Sequence, residues 1–188
     1  MHKKIFITGF TPFDQATRNP SADWIEWMNA RVTPKNKTVV GKILPVEFLT
    51  AFNEFKMTYD QFAPDIVILT GVAMNRSELT VERIGINWED ARIPDNAGKM
   101  PRSQVIIDDA PDGLFTTIDL DTIQSIFKTT NCALKVSTSA GEYVCNELLY
   151  RVLHYTRDKN SLTTFFHLPN TENYDGIYLA LEKLVIDL

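Results

Sequence analysis

Asp65-Ile66-Val67-Ile68-Leu69-Thr70-Gly71 is the stretch that decides the fold. Its apolar run has no polar face, as expected of a central strand buried on both sides in a parallel sheet, and Gly71 closes it. Working toward the N-terminus, Phe48, Phe52, Phe55, Tyr59 and Phe62 recur at helical spacing and predict an amphipathic helix whose aromatic stripe is core rather than a cofactor box. Residues 38–44 (TVVGKIL) read as a strand, Asn19-Pro20-Ser21 as a helix start followed by Trp24, Trp27, Met28 and Arg31, and residues 4–8 (KIFIT) as a short buried strand ending at Gly9. Toward the C-terminus, residues 79–86 (LTVERIGI) read as one strand, 90–103 as a Pro/Asn/Gly-rich loop, and 104–107 (QVII) as a return to strand. Helices are expected at 121–128 and 141–155 and from about Tyr174 to the end, with extended segments at 134–137 and 163–168. Helices alternating with strands predict an α/β fold, a three-layer α/β/α sandwich around a mostly parallel twisted sheet, formed by residues 1–188 as a single domain. In such a fold ligands gather outside the carboxyl ends of the strands.

Composition narrows the function. With 188 residues, 44% apolar and 23% charged, the chain has material for one packed core without disulfide or metal staples. Nineteen basic against 24 acidic residues, and no Lys/Arg block, argue against nucleic acid as a partner. The apolar run near the N-terminus is too short for a signal-peptide core, and no stretch approaches the roughly 20 apolar residues of a membrane span. The two cysteines, Cys132 and Cys145, have no partners at metal-ligand spacing. The expectation is a cytoplasmic protein with free thiols, no membrane association, no metal and no cofactor.

Three residues stand where chemistry is done. Cys145 follows the small-residue turn Ser137-Thr138-Ser139-Ala140-Gly141 and opens a helix with apolar Val144, Leu148, Leu149 and Val152. In a first helical turn the unpaired N–H groups and the helix dipole favour a thiolate, and the same N–H groups suit a developing oxyanion. The alternative is a small core residue. His167 ends the strand Thr163-Thr164-Phe165-Phe166, at the edge where the fold puts its site, either as a proton carrier or as a structural hydrogen-bonding group. Glu82 interrupts an apolar strand; facing inward it needs a partner such as an imidazole N–H, facing outward it pairs with Arg83 or water.

Together these segments resemble the pyroglutamyl-peptidase I family of cysteine peptidases. The resemblance rests on Gly9-Phe10-Thr11-Pro12-Phe13 with Asn19-Pro20, on Arg76-Ser77 with Glu82-Arg83, Asn87 and Asp90-Ala91-Arg92-Ile93-Pro94-Asp95-Asn96, on residues 137–146 ending in Tyr143-Val144-Cys145-Asn146, and on His167-Leu168-Pro169. It implies hydrolysis of an N-terminal pyroglutamyl residue from small peptides, with Cys145 as nucleophile, His167 as base and then acid, and Glu82 orienting the imidazole. It implies Phe10, Phe13, Asn19 and Val144 as substrate-binding residues, Arg92 as support for the oxyanion region, and a homo-oligomer, dimer or tetramer.

The chain also departs from the family's pattern. Asp14-Gln15 replaces a common Gly-Gly, Asn75 replaces a usual glycine, Glu142 stands three residues before the nucleophile, and the final helix begins soon after Pro169. These departures motivate a second reading, a relative acting on another cyclic or N-acyl amide or binding without turnover. A phosphate-binding module is a third class, disfavoured because Thr8-Gly9-Phe10 lacks a Gly-rich loop.

Overall fold

The computed structural model describes residues 2–31 and 36–188. In chain order the elements are β1 (Lys3–Phe10), α1 (Pro20–Asn29), β2 (Lys37–Leu44), α2 (Thr50–Phe62), β3 (Ile66–Ala73), β4 (Leu79–Glu82), β5 (Ile84–Ile86), β6 (Gly113–Phe115), α3 (Leu120–Phe127), β7 (Leu134–Ser137), α4 (Val144–Thr156), β8 (Leu162–Pro169) and α5 (Asp175–Asp187). One sheet has the order β2-β1-β3-β8-β4-β7, and β5 and β6 form a separate two-stranded ribbon. All neighbours in the larger sheet are parallel except β4 and β8, which run antiparallel.

The strand period of two explains the layers. Ile5, Ile7, Ile66, Ile68, Phe166 and Leu168 belong to one buried cluster, covered by Trp24 and Ile25 of α1, Ile123 and Phe127 of α3, and Leu181 and Leu184 of α5. The intervening residues Phe6, Val67, Leu69 and Phe165 belong to the other, covered by Phe55 and Tyr59 of α2 and by Leu148 and Val152 of α4. Both faces of the sheet are therefore dry, which is why β3 carries no polar alternation. Fully burying a side chain such as Ile68 or Leu181 contributes on the order of 1.5–3 kcal/mol, so the two clusters specify which face each helix covers.

Four local expectations fail, each for a visible reason. The predicted strand 79–86 breaks at Arg83, whose N–H donates to Ser137 O (2.7 Å) and whose carbonyl accepts Thr116 N–H (3.1 Å) as the chain leaves the sheet for the β5–β6 ribbon. Residues 104–107 are not a strand: only Gln104 bridges to Glu89, and the N–H groups of Ile106 and Ile107 are taken by the Asn87 side-chain oxygen at 3.0 and 2.9 Å. Phe48 precedes α2 rather than lying in it, since Leu49 at φ 66° turns the chain into the helix. The helix expected from Gly141 starts at Val144.

Candidate active site

The antiparallel entry of β4 builds the site. Thr80 pairs with His167 and Glu82 with Phe165, so all four residues face the α2/α4 side, and Glu82 and His167 are diagonal neighbours within reach of long side chains. His167 Nδ1 lies 2.7 Å from Glu82 Oε1, with both side chains buried. A carboxylate only accepts, so Nδ1 carries the proton and Nε2 keeps its lone pair. Burial is the largest influence on His167 and pushes its pKa below the ordinary histidine value; the bond to Glu82 raises it and Arg76 lowers it. For Glu82, burial pushes upward, but the hydrogen bond and charge of His167, with Ser137 and Arg76, carry it below the usual carboxylate range. The resting pair is a neutral imidazole against an ionised carboxylate.

Cys145 comes from the helix covering that face. Tyr143 is the extended N-cap of α4 and the first intrahelical bond runs from Glu147 N–H to Tyr143 O (3.1 Å), so the N–H groups of Val144, Cys145 and Asn146 precede it. Gly71, paired with His167 in the sheet, has both sulfur and ring for neighbours: a Cβ placed there would lie 2.8 Å from Cys145 Sγ and 3.5 Å from His167 Cδ2. The thiol and the imidazole thus flank one small volume that only a glycine leaves open. Burial pushes the Cys145 thiol up to about 12, with Glu82 adding to the effect and Arg76 opposing it. Burial and the Glu82 charge thus oppose the helix terminus in setting the thiol, whose side chain is itself only half-buried in the wall of a cavity. Glu142 is exposed; the acid that acts on the thiol is Glu82.

A cavity of about 290 Å³ opens at this point, walled by Phe10, Phe13, Asn19, Val46, Tyr143 and Val144, with Cys145, His167 and Arg76 also facing it. The four residues expected to bind substrate are all in its wall. Asn19 does so from a structural position: as N-cap of α1 its Oδ1 accepts Ser21 N–H (3.0 Å), and its Nδ2 donates to Thr11 O (3.0 Å), which ties down the turn carrying Phe10. Arg92 does not line this cavity. It is exposed, whereas Arg76, noted in the sequence only within a motif, lines the cavity and donates to Glu82, Thr80, Ser137 and Ser139. Tyr143 is a further wall residue that the sequence reading missed; its ring lies 6.3 Å from that of Phe13, and its hydroxyl donates to Pro94 O (2.9 Å).

Asp14 and Gln15, next to Phe13, have φ of 48° and 62°, the left-handed region in which a glycine is at ease. Gln15→Gly is therefore expected to stabilise the fold by about 0.5–1 kcal/mol net of the glycine's greater freedom when unfolded, read as a higher urea midpoint at unchanged slope.

The geometry agrees with what the chain is similar to. The family model for pyroglutamyl peptidase matches residues 3–174. A pyrrolidone-carboxylate peptidase of Erwinia tasmaniensis is 36% identical over 167 residues, spanning 89% of this chain and 78% of the relative. One from Thermococcus litoralis is 36% identical over 171 residues, spanning 90% and 77%. The crystal structure of pyroglutamyl peptidase I from Bacillus amyloliquefaciens superposes with a TM-score of 0.92 at 28% identity, covering 99% of this chain and 95% of that one. Six sheet strands in one order, a cysteine and a histidine facing one cavity, and a family match across most of the length lead to one assignment: the chain belongs to the pyroglutamyl peptidase family.

Proposed function

We propose that the protein is a cysteine omega-peptidase that removes an N-terminal pyroglutamyl residue, with Cys145, His167 and Glu82 as its catalytic triad. The carrying observation is that Cys145 Sγ and the His167 ring border the same empty Cβ position at Gly71 and line the same cavity, with that ring bonded to buried Glu82. In the first half-reaction Sγ attacks the pyroglutamyl carbonyl carbon while His167 Nε2 takes the thiol proton. The oxyanion that forms is stabilised by N–H groups of the first turn of α4. Collapse breaks the C–N bond, the imidazolium returns its proton to the leaving amine, and a thioester remains on Cys145. Water, deprotonated by His167, then hydrolyses the thioester, releasing pyroglutamate and restoring the thiol. Glu82 stays ionised throughout and stabilises the transient imidazolium.

The cavity supports the substrate class. Phe10, Phe13, Val46, Tyr143 and Val144 offer aromatic and aliphatic surface to a flat, neutral lactam, and Arg76, the one arginine or lysine among the described wall residues, is already paired with Glu82. About 290 Å³ is at the small end for ligand pockets and suits a single ring better than an extended peptide. We read residues 1–188 as one cytoplasmic catalytic domain that assembles as a homo-oligomer; the free thiols of Cys132 and Cys145 agree with a reducing compartment. No described helix is long and apolar enough to cross a membrane.

The test compares hydrolysis of a pyroglutamyl chromogenic amide with that of the matching prolyl amide, which has the ring but lacks the lactam carbonyl. Preference for the first, with a stoichiometric burst of chromophore abolished by Cys145→Ala, is the expected outcome. Equal rates on both substrates, or full activity without the thiol, would reject the proposal.

A further inference from the structure

Arg76 sits where β3 has ended and β4 has not begun, and it touches every segment that supplies the triad. Its Nη1 donates to Thr80 Oγ1 and to Glu82 Oε1, the same carboxylate oxygen that His167 Nδ1 uses. Its Nη2 donates to Ser137 Oγ (3.2 Å) and to Ser139 O (2.8 Å), in the turn that leads into the Cys145 helix. Its backbone is fixed as well: N–H to Ala73 O (3.0 Å), and carbonyl oxygen accepting Asn170 N–H (3.0 Å) just past the end of β8. The side chain is at 21% exposure, with its bonds to Thr80, Glu82 and Ser137 part-buried and that to Ser139 at the surface, so the inner bonds are little diluted by water. A planar fork with donors on two nitrogens can hold a carboxylate and a carbonyl at once, and a lysine ammonium has neither that shape nor that reach.

We propose that Arg76 is a positioning residue for the hydrolysis, its guanidinium clamping the Glu82 carboxylate to the turn before Cys145 so that base and nucleophile keep one separation. This rests on the triad reading above. The charged and titratable groups facing His167 are Glu82 from β4, Arg76 from the β3–β4 connection and Cys145 from α4. Without the guanidinium, the buried carboxylate has one hydrogen-bond donor fewer and no permanent positive charge beside it. It then draws the proton onto His167 more strongly, which leaves less free base at a given pH.

The experiment uses Arg76→Met and Arg76→Lys, read by kcat and KM across pH and by the NMR titration of His167, one of three histidines in the chain and assignable by the loss of its signal in His167→Gln. Arg76→Met is expected to lower kcat by about 10²-fold, the scale of a misplaced catalytic group, with a smaller change in KM, and to move both the acid limb of kcat/KM and the His167 titration to higher pH. Arg76→Lys, which keeps the charge but not the fork, is expected to hold the titration near wild type and recover only part of kcat. Wild-type kcat and an unmoved His167 titration in Arg76→Met would overturn the clamp. If Arg76→Met fails to fold, Arg76→Lys decides alone: wild-type kcat in it overturns the proposal. Because the NMR titration does not depend on turnover, a chain inactive on pyroglutamyl amides with a His167 that still responds to Arg76 would refute the substrate reading and leave the clamp standing.

Discussion

Glu82→Gln is expected to lower kcat/KM by about 10²–10³-fold, although the two side chains differ in one heavy atom. Arg76 Nη1 and His167 Nδ1 both donate to Oε1, so a glutamine keeps its amide oxygen there and the ring keeps its tautomer. What is lost is the negative charge: no anion beside Nδ1 then offsets the imidazolium that forms when Nε2 takes the thiol proton. The amide N–H groups fall at the Oε2 position, a buried atom with no hydrogen-bond partner among the described residues, and are left unsatisfied. The pH profile gives a second, independent sign. In the wild type, burial holds the His167 pKa below that of an ordinary histidine, so kcat/KM is complete at neutral pH and falls only as pH drops through that depressed value. Glu82 raises the His167 pKa and Arg76 lowers it. Residual activity in Glu82→Gln should therefore have its acid limb displaced to lower pH, the reverse of Arg76→Met. A Glu82→Gln enzyme with most of the wild-type kcat/KM and an unmoved limb would show that the carboxylate charge does not stabilise the imidazolium.

How much of this was readable in advance depends on the range of the interaction that decides each feature. β3 and the flanking aromatic helix α2 were legible because apolar run and helical spacing are local patterns that the tertiary structure reinforces. Cys145 and His167 were legible for a similar reason, since a helix start and a strand end are local addresses in an α/β fold. Their meeting with Glu82 was not readable from spacing. It depends on β4 lying antiparallel to β8, a pairing between segments more than 80 residues apart that turns Thr80 and Glu82 toward the face of His167. The contacts of Arg76 were hidden for the same reason. Arg76 and Arg92 look alike as sequence, and only the close packing of the β3 exit against the Ser137–Ser139 turn selects Arg76. Residues 104–107 misled in the opposite way, because their backbone donors are satisfied by one side chain, Asn87, that no periodicity reveals. The β5–β6 ribbon was missed because Gly113–Phe115 is too short to show an alternation.

The largest effect on stability is expected from the smallest change, Gly9→Ala. A methyl group on Gly9 would lie 2.1 Å from the carbonyl oxygen of Ser21, 2.5 Å from its carbonyl carbon and 3.0 Å from Ala22 N, all backbone atoms with no side chain that can swing aside. The start of α1 cannot shift alone, for Asn19 caps it, and Ser21 Oγ accepts Phe10 N–H at 2.9 Å, binding helix and strand together at this point. Relief requires backing α1 away from β1, which loosens Trp24 and Ile25 from the sheet. Overpacking alone costs about 1–3 kcal/mol, and separating part of the core adds to it, so a loss of about 3 kcal/mol or more is expected from a total of roughly 5–15. Gly176→Ala is the matched control, because a Cβ there meets nothing within 4 Å and the residue lies in the first turn of α5. That change should raise stability by about 0.5–1 kcal/mol through helix propensity and reduced freedom of the unfolded chain. Urea midpoints moving in opposite directions from the same added methyl group would establish that contact, not composition, sets the demand for glycine at position 9. A Gly9→Ala midpoint equal to wild type would mean that α1 does not pack on β1 as closely as described, and the wall of the cavity formed by Phe10 would have to be placed anew.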